Sequence, residues 1–298
     1  MIVIEAPVHG MSKTCALIDR WSIEITAKDA ERIAEAAAVI PPGTKVPVTF
    51  LPGETFEARV ATARAVKDLG FVPIPHISAR RLHSEAELRD FLAALQREVG
   101  NDHAFVVAGD PSTPMGPYPD ALSLIRSGML AEHGIRRVGI SGYPEGHADI
   151  GNDKIWQATR DKRDSLLQGG HDFAIVTQFG FNAGPMLDWV EQVRNAGIDA
   201  TIRLGIPGPA SVKRLLSFAA RCGVAASASV MSKYGLSMTR LLSTAGPDRL
   251  VEELAERFDP ARHGDVLLHF YPFGGLRATA EWVRDFQKKH GCEPGGQG

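Results

Sequence analysis

The chain has 298 residues, of which 44% are hydrophobic and 23% are charged, and this balance excludes a disordered or fibrous protein. Its net charge of −2, from 33 basic and 35 acidic residues, gives no basic excess that favours nucleic acid or an anionic membrane as partner. No apolar run approaches the roughly 20 residues of a membrane helix, and the acid at Glu5 argues against a signal peptide.

Eight strand-like runs follow one another along the chain, and most are continuously apolar rather than alternating. This pattern is typical of strands covered on both faces, as in a parallel sheet packed between helices. The predicted strands are Trp21–Thr26, Val46–Phe50, Phe71–His76, Ala104–Gly109, Arg137–Ser141, Phe173–Gln178, Ala200–Gly205 and Asp265–Phe270. Amphipathic stretches lie between them, and the long interval 206–264 is expected to contain extra helical turns near Met231–Thr244 and Pro247–Phe258.

This alternation predicts a single (β/α)8 barrel spanning residues 1–298, with residues 1–20 as an N-terminal extension and 291–298 as a frayed tail. An open doubly wound sheet is the alternative fold. The first strand lacks the GxGxxG turn that such a sheet uses for phosphates, and no GxxxxGK[ST] occurs, which favours the barrel. Apolar helix faces are compatible with a homo-oligomer and equally with helices that only cover the barrel.

The cysteines bear on where the protein resides. Cys15, Cys222 and Cys292 are odd in number and far apart, so they predict neither a CxxC metal pair nor a disulfide framework. A reducing cytoplasm is therefore the expected location.

Polar side chains end nearly every predicted strand. Because barrel active sites are built at the carboxyl ends of the strands, these side chains are expected to share one rim. They are Glu24, Thr49, His76, Asp110, Tyr143, Glu145, His147, Gln178, His269 and Tyr271.

Glu24 is the candidate acid. It lies between Ile23 and Ile25 in an apolar strand, where ionisation is unfavourable, so its pKa is expected to be raised. A carboxyl of this kind suits general acid catalysis near neutral pH. A salt-bridged or rim-exposed glutamate is the structural alternative.

The other rim residues each have a structural alternative. Asp110 precedes Pro111 and is equally typical of a turn, His76 of a packed histidine, and Gln178 of a structural hydrogen bond. No HxxxH, HxH or HExxH spacing predicts a metal site, and no GxSxG turn predicts a nucleophilic serine.

With these residues in view, the sequence resembles the catalytic barrel of the methylenetetrahydrofolate reductase family. The segment GYPEGHAD is the most specific match, to Gly-Tyr-Pro-Glu-x-His-Pro-Glu, and DFAIVTQFGFN is similar to Asp-Phe-Ile-Ile-Thr-Gln-x-Phe-Phe-Asp. SIEITAKD, VPVTF, IPHIS and AGDPS resemble Ser-Phe-Glu-Phe-Phe-Pro-Pro, Val-Ser-Val-Thr-Tyr, Pro-His-Leu-Thr and Arg-Gly-Asp-x-Pro. The matches keep the family's order over about residues 21–271.

The resemblance implies reduction of 5,10-methylenetetrahydrofolate to 5-methyltetrahydrofolate in one-carbon metabolism and methionine biosynthesis, with NADH or NADPH as electron source and FAD as carrier. Glu24 would protonate N10 to open the ring, and Asp110 would tune the pterin and flavin electrostatically. The residues that it places against folate are Gln178, Phe218 and Tyr271. The residues that it places against the flavin are Thr49, His76, Gly109, Asp110, Tyr143, His147 and Lys162.

Several family positions differ in this chain. Ala108 stands where the family motif has Arg, and Gly275 stands where the family has an arginine that faces the folate tail. The family's lysine has no clean match in the SLLQGGHD region, where Lys162 and Arg163 are the nearest cations. Because a flavin pyrophosphate needs cations or helix N-termini, direct hydride transfer from NADH to folate is a second hypothesis. A third is a pterin-binding one-carbon transferase or a non-catalytic folate- or flavin-binding module.

Overall fold

The computed structural model describes residues 11–223 and 244–292, in which eight parallel strands close into a barrel. The strands in chain order are β1 (Ser22–Ile23), β2 (Lys45–Val48), β3 (Val72–Ser78), β4 (His103–Val107), β5 (Arg137–Gly142), β6 (Asp172–Phe179), β7 (Thr201–Pro207), β8 (Ala210–Ser211), β9 (Thr244–Ala245) and β10 (Val266–Tyr271). Strands β8 and β9 form a separate antiparallel pair, and β10 closes the barrel between β7 and β1.

Helices connect the barrel strands in alternation, as in a (β/α)8 barrel. The helices of the described residues are α1 (Lys13–Ile18), α2 (Ala30–Ala36), α3 (Phe56–Asp68), α4 (Glu85–Glu98), α5 (Ala121–Arg126), α6 (Met129–Glu132), α7 (Asn152–Gln168), α8 (Ala183–Asn195), α9 (Val212–Cys222), α10 (Asp248–Arg257), α11 (Pro260–His263) and α12 (Leu276–Lys289).

The predicted fold and the positions of all eight predicted strands are confirmed. The first strand is shorter than predicted, because beyond Ile23 only Ile25 pairs with its neighbour, through an isolated bridge to Val48. The turn predicted at Pro247–Phe258 is helix α10. The turn predicted near 231–244 lies outside the described residues except for Thr244, as do residues 293–298 of the predicted tail.

Both faces of the barrel strands are covered, which explains their apolar runs. Ile140, Leu204 and Leu268 have no exposed surface and belong to the hydrophobic core between the strands and the helices. Some of the connecting helices begin at a residue whose hydroxyl accepts from a free N–H group of the first turn. The Thr55 hydroxyl accepts from Ala58 N–H at α3, and the Ser84 hydroxyl accepts from Glu87 N–H at α4.

The two ends of the described chain are joined by a disulfide between Cys15 of α1 and Cys292, with a Cα–Cα distance of 5.1 Å. The prediction that the cysteines form no disulfide is wrong for this pair. A closed barrel brings its first and last elements together whatever their separation in sequence, here 277 residues, so spacing along the chain gave no signal. The expected cytoplasmic location, which relied on the cysteines, stays a prediction.

Two observations bear on other classes of site. Nowhere in residues 11–223 and 244–292 is there a helix long and apolar enough to cross a membrane. The same residues contain no group of three His, Cys, Asp or Glu side chains arranged to hold a metal ion.

Candidate active site

A pocket of about 180 Å³ opens at the carboxyl ends of the barrel strands. Seven of the eight barrel strands, or the residues directly after them, contribute to it. Its walls are formed by Glu24, Pro47, His76, Phe105, Val107, Ser141, Tyr143, Val176, Gln178, His269 and Tyr271. Of the predicted rim, the pocket brings together Glu24, His76, Tyr143, Gln178, His269 and Tyr271.

Glu24 follows β1 and is the acidic residue of the pocket. Its backbone is fixed by a hydrogen bond from Glu24 N–H to the Phe270 carbonyl on β10. The side chain keeps 22% of its surface exposed, and burial raises the pKa of the carboxyl to about 8. The carboxyl is therefore protonated at neutral pH and can donate that proton within the pocket.

His76 of β3 is a titratable neighbour of Glu24, with Nε2 3.9 Å from Glu24 Oε2. Its ring stacks on Phe105 at 4.5 Å, and its carbonyl accepts a hydrogen bond from the buried Arg59. Burial, together with the positive charge of Arg59, lowers the pKa of His76 to about 3. The two side chains thus meet as neutral groups and not as an ion pair.

A register shift in β6, between Val176 and Phe179, positions Gln178. The Thr177 carbonyl accepts from the Tyr271 hydroxyl at 3.0 Å, and the Thr177 hydroxyl accepts from Gly205 N–H at 2.8 Å. Gln178 then reaches across the pocket mouth, where its amide donates to the Cys222 carbonyl at 2.7 Å. Burial raises the pKa of Tyr271 well above its ordinary range, so its hydroxyl keeps its proton.

An aromatic cluster lies beside this wall and outside the pocket lining. Phe218 of α9 stacks face to face on Phe273, with ring centroids 3.9 Å apart, and Phe273 contacts the edge of Phe179. Tyr271 packs against the same cluster. Phe218 is therefore linked to the pocket through Tyr271.

Asp110 lies on the rim after β4, outside the pocket lining, and forms an ion pair. Both of its oxygens accept from the Arg81 guanidinium, at 2.5 and 2.7 Å, while 68% of its side chain stays exposed. Gly109 before it has a φ of +94°, and a Cβ there would lie 2.8 Å from Ser78 Oγ, so the turn requires glycine.

The other residues predicted to hold a cofactor are spread around the rim. The Thr49 hydroxyl is buried and has no hydrogen-bond partner among the described residues. His147 packs edge-on against Tyr143 at 5.2 Å. Lys162 lies buried within α7, away from the pocket lining, and burial lowers the pKa of its amine to about 8.

Sequence reasoning missed three groups near Glu24. Ser22 and Arg203 lie beneath the pocket, and His269 was recognised as a strand end but given no role. Alternation in a strand was the available signal: Ser22 is two residues before Glu24, and His269 two residues before Tyr271, so each pair shares a face.

A family model described as methylenetetrahydrofolate reductase matches residues 28–274. The chain belongs to the methylenetetrahydrofolate reductase family. Methylenetetrahydrofolate reductase 2 of Saccharomyces cerevisiae is 28% identical over 155 residues, which cover 49% of this chain and 25% of the yeast protein. The matched segment therefore spans only a quarter of that relative.

Among solved structures, a barrel from Clostridium thermocellum aligns with a TM-score of 0.61 at 13% identity, over 93% of this chain and 98% of that one. That protein is described as uncharacterized and as binding two copies of 5-methyl-5,6,7,8-tetrahydrofolic acid. At this identity the likeness supports the barrel fold of the reductase family member.

Proposed function

We propose that this protein reduces 5,10-methylenetetrahydrofolate to 5-methyltetrahydrofolate with NADH or NADPH as electron source. The observation that carries the proposal is the position of the Glu24 carboxyl in the pocket of a barrel from this family, where burial raises its pKa. The reaction needs an acid at that point, because the bridging carbon leaves N10 only if the amine is protonated.

The proton step uses residues of this chain. Glu24 gives its proton to N10, the bond between N10 and the methylene carbon breaks with its electron pair on N10, and the carbon becomes an iminium on N5. A hydride then adds to that carbon and forms the methyl group. The neutral His76 beside Glu24 does not compete for the proton, since its pKa is about 3.

The pocket's size and polar groups support a pterin as occupant. Its 180 Å³ is below the roughly 300–1,000 Å³ of typical small-molecule pockets, so it suits the reacting ring and not a whole folate. Gln178 already donates to Cys222, which leaves its amide oxygen to accept from an N–H of the ring. Tyr271 would border the ring, and Phe218 behind it would support that wall. The folate-binding C. thermocellum barrel is a precedent for this ligand in this fold.

Some of the rim residues fit a flavin. The unpartnered Thr49 hydroxyl needs a polar partner that a ligand would supply, and Tyr143 with His147 offers an aromatic edge and a ring nitrogen nearby. Thr49, His76, Gly109, Tyr143 and His147 would hold the flavin. When bound, FAD would carry the hydride from NAD(P)H to the folate.

A specific observation favours a second candidate, direct hydride transfer from NADH without flavin. Two arginines near Asp110 on this rim already bind protein groups: Arg81 binds Asp110, and Arg80 binds the carbonyls of Pro111 and Pro119. With Ala108 beside them, a pyrophosphate would have to displace these contacts.

Anaerobic oxidation of NADH and of NADPH with 5,10-methylenetetrahydrofolate, with and without added FAD, tests the proposal. Turnover that Glu24→Gln abolishes and the exposed Glu57→Gln leaves intact supports the reductase. Yellow purified protein, or turnover dependent on FAD, supports the flavin route; colourless protein with full NADH turnover supports direct transfer. No oxidation of either nucleotide, with folate still bound, would favour a transferase or binding module instead.

A further inference from the structure

Arg203 is a buried cation in the barrel interior, beneath the pocket. It belongs to β7 and is only 5% exposed. Its Nη1 donates to the Arg20 carbonyl at 2.7 Å and to Ser22 Oγ at 3.1 Å. A buried guanidinium carries a desolvation penalty of several kcal/mol, and an apolar side chain of similar volume would avoid it. This penalty suggests a role beyond packing.

The hydroxyl of Ser22 links Arg203 to the pocket wall. Ser22 has no exposed surface, and its Oγ lies 2.9 Å from His269 Nδ1. A serine hydroxyl has one hydrogen to donate. Because the Arg203 guanidinium can only donate, the Ser22 oxygen accepts from it and keeps its own hydrogen for another partner.

The hydrogen bonds of Ser22 indicate which ring nitrogen of His269 carries the hydrogen. If His269 Nδ1 carried a hydrogen, it would donate to Ser22, and the buried hydroxyl hydrogen would be left without an acceptor among the described residues. An unsatisfied buried donor is unfavourable by about 1–3 kcal/mol. The favoured arrangement is therefore Arg203 to Ser22 to His269 Nδ1, with the imidazole hydrogen on Nε2.

The groups around His269 keep it neutral. Burial, then the positive charge of Arg203 and the neighbouring His76, lower its pKa to about 3, while Tyr271 packs edge-on against the ring at 4.8 Å. Nε2 has no hydrogen-bond partner in the described part of the chain, but it is not one of the fully buried unpartnered atoms and His269 lines the pocket, so solvent or a ligand there can accept an Nε2 hydrogen. The imidazole thus offers its N–H to the pocket.

We infer that Arg203 is a positioning residue: through Ser22 it holds His269 as the neutral Nε2–H tautomer, so that this wall recognises a hydrogen-bond acceptor on the ligand. The inference deepens the proposed function by stating the polarity of that wall, and the identity of the ligand rests on the proposed function. The tautomer of His269 does not depend on the proposed function.

Long-range ¹⁵N–¹H spectra of protein labelled with ¹⁵N-histidine test the tautomer without ligand, with the His269 signals assigned from His269→Gln. We expect the Nε2–H form in the wild type and in Arg203→Lys, which can still donate to Ser22. Arg203→Met and Ser22→Ala should give a mixture of tautomers. A wild-type Nδ1–H form, or spectra that neither Arg203→Met nor Ser22→Ala changes, would overturn the inference.

Arg194→Met is the matched control. Arg194 also donates to backbone carbonyls, those of Ile198, Ala200, His263 and Asp265, but makes no hydrogen bond to Ser22 or His269. Its loss should lower stability and leave the His269 signals unchanged. If Arg194→Met shifts those signals as Arg203→Met does, the effect is general loosening of the barrel and the positioning role is wrong.

Binding of 5-methyltetrahydrofolate, measured by calorimetry, tests the consequence. One hydrogen bond lost in a buried site corresponds to about tenfold weaker binding in Arg203→Met and Ser22→Ala. Arg203→Lys should restore most of it. Equal affinity in all variants overturns the recognition role. If the wild type binds no folate, the proposed function fails, and the spectra still decide the tautomer.

Discussion

Glu24→Gln should make the protein more stable as well as inactive. In the folded state burial raises the pKa of Glu24 from 4.5 to about 8. The folded protein therefore holds a proton on this carboxyl that the unfolded chain releases above pH 4.5. Stability contributed by a raised carboxyl pKa is lost as the pH rises from about 4.5 to about 8, and glutamine, which has no proton to lose, removes this loss.

The magnitude is set by the same two pKa values. At pH 7 the wild type should be less stable than Glu24→Gln by about 3 kcal/mol. Between pH 6.5 and 8 the difference in stability between the two proteins should widen by ~1.5 kcal/mol. Only the difference between the two proteins isolates Glu24, because groups with lowered pKa values such as His76, His269 and Lys162 also change the stability over this window but do so equally in both proteins.

Urea unfolding followed by tryptophan fluorescence at pH 6.5, 7.25 and 8 measures the effect, with NADH oxidation assayed on the same samples. Glu57→Gln is the matched control, since Glu57 is exposed on α3 and its loss should change stability by less than about 0.5 kcal/mol. A Glu24→Gln protein whose stability changes with pH in parallel with that of the wild type would show that the carboxyl is ionised in the folded protein, and the assignment of the acid would fall with it.

Three further changes test the scaffold. Reducing the disulfide, or Cys15→Ser, should lower the free energy of unfolding by up to about 5 kcal/mol, because the disulfide joins residues 277 positions apart. Cys222→Ser, at a free cysteine, should not lower it. Urea unfolding with and without dithiothreitol measures both effects. Gly205→Ala should destabilise the protein by about 1–3 kcal/mol and weaken folate binding, because the new Cβ would lie 2.5 Å from the Thr177 carbonyl oxygen. Gly151→Ala should do neither, because a Cβ at that position has no atom within 4 Å. Tyr271→Phe should reduce stability by about 1 kcal/mol in urea unfolding, since the same carbonyl loses its hydroxyl donor.

The sequence could predict the barrel because its signals are local. Eight apolar runs separated by amphipathic stretches specify strands and helices through nearest neighbours along the chain. Glu24 was predictable for the same reason, since a carboxylate between Ile23 and Ile25 must be buried if that strand is buried. Closure of the barrel then brings the polar strand ends to one rim.

What the sequence could not predict depends on contacts across the barrel. Nothing near Asp110 indicates that Arg81, 29 residues away, forms an ion pair with both of its oxygens. The pairing of Cys15 with Cys292 likewise follows from closure and not from spacing. The link from Arg203 to Ser22 spans 181 residues. Each of these contacts changes the chemistry assigned to a residue that the sequence had identified or passed over.

The pocket keeps its proton on Glu24 because both neighbouring histidines have been made poor bases. A histidine of ordinary pKa 6.5, 3.9 Å from a carboxyl, would draw off the proton and form an ion pair. Burial lowers the pKa of both histidines, and an arginine behind each adds to the effect: Arg59 donates to the carbonyl of His76, and Arg203 reaches His269 through Ser22. With histidine pKa values of about 3 and a Glu24 pKa of about 8, transfer of the proton to either ring is unfavourable by several kcal/mol. Burial and the two arginines therefore keep the Glu24 proton from the histidines and leave it available to a ligand atom. A general acid in this pocket must meet this condition.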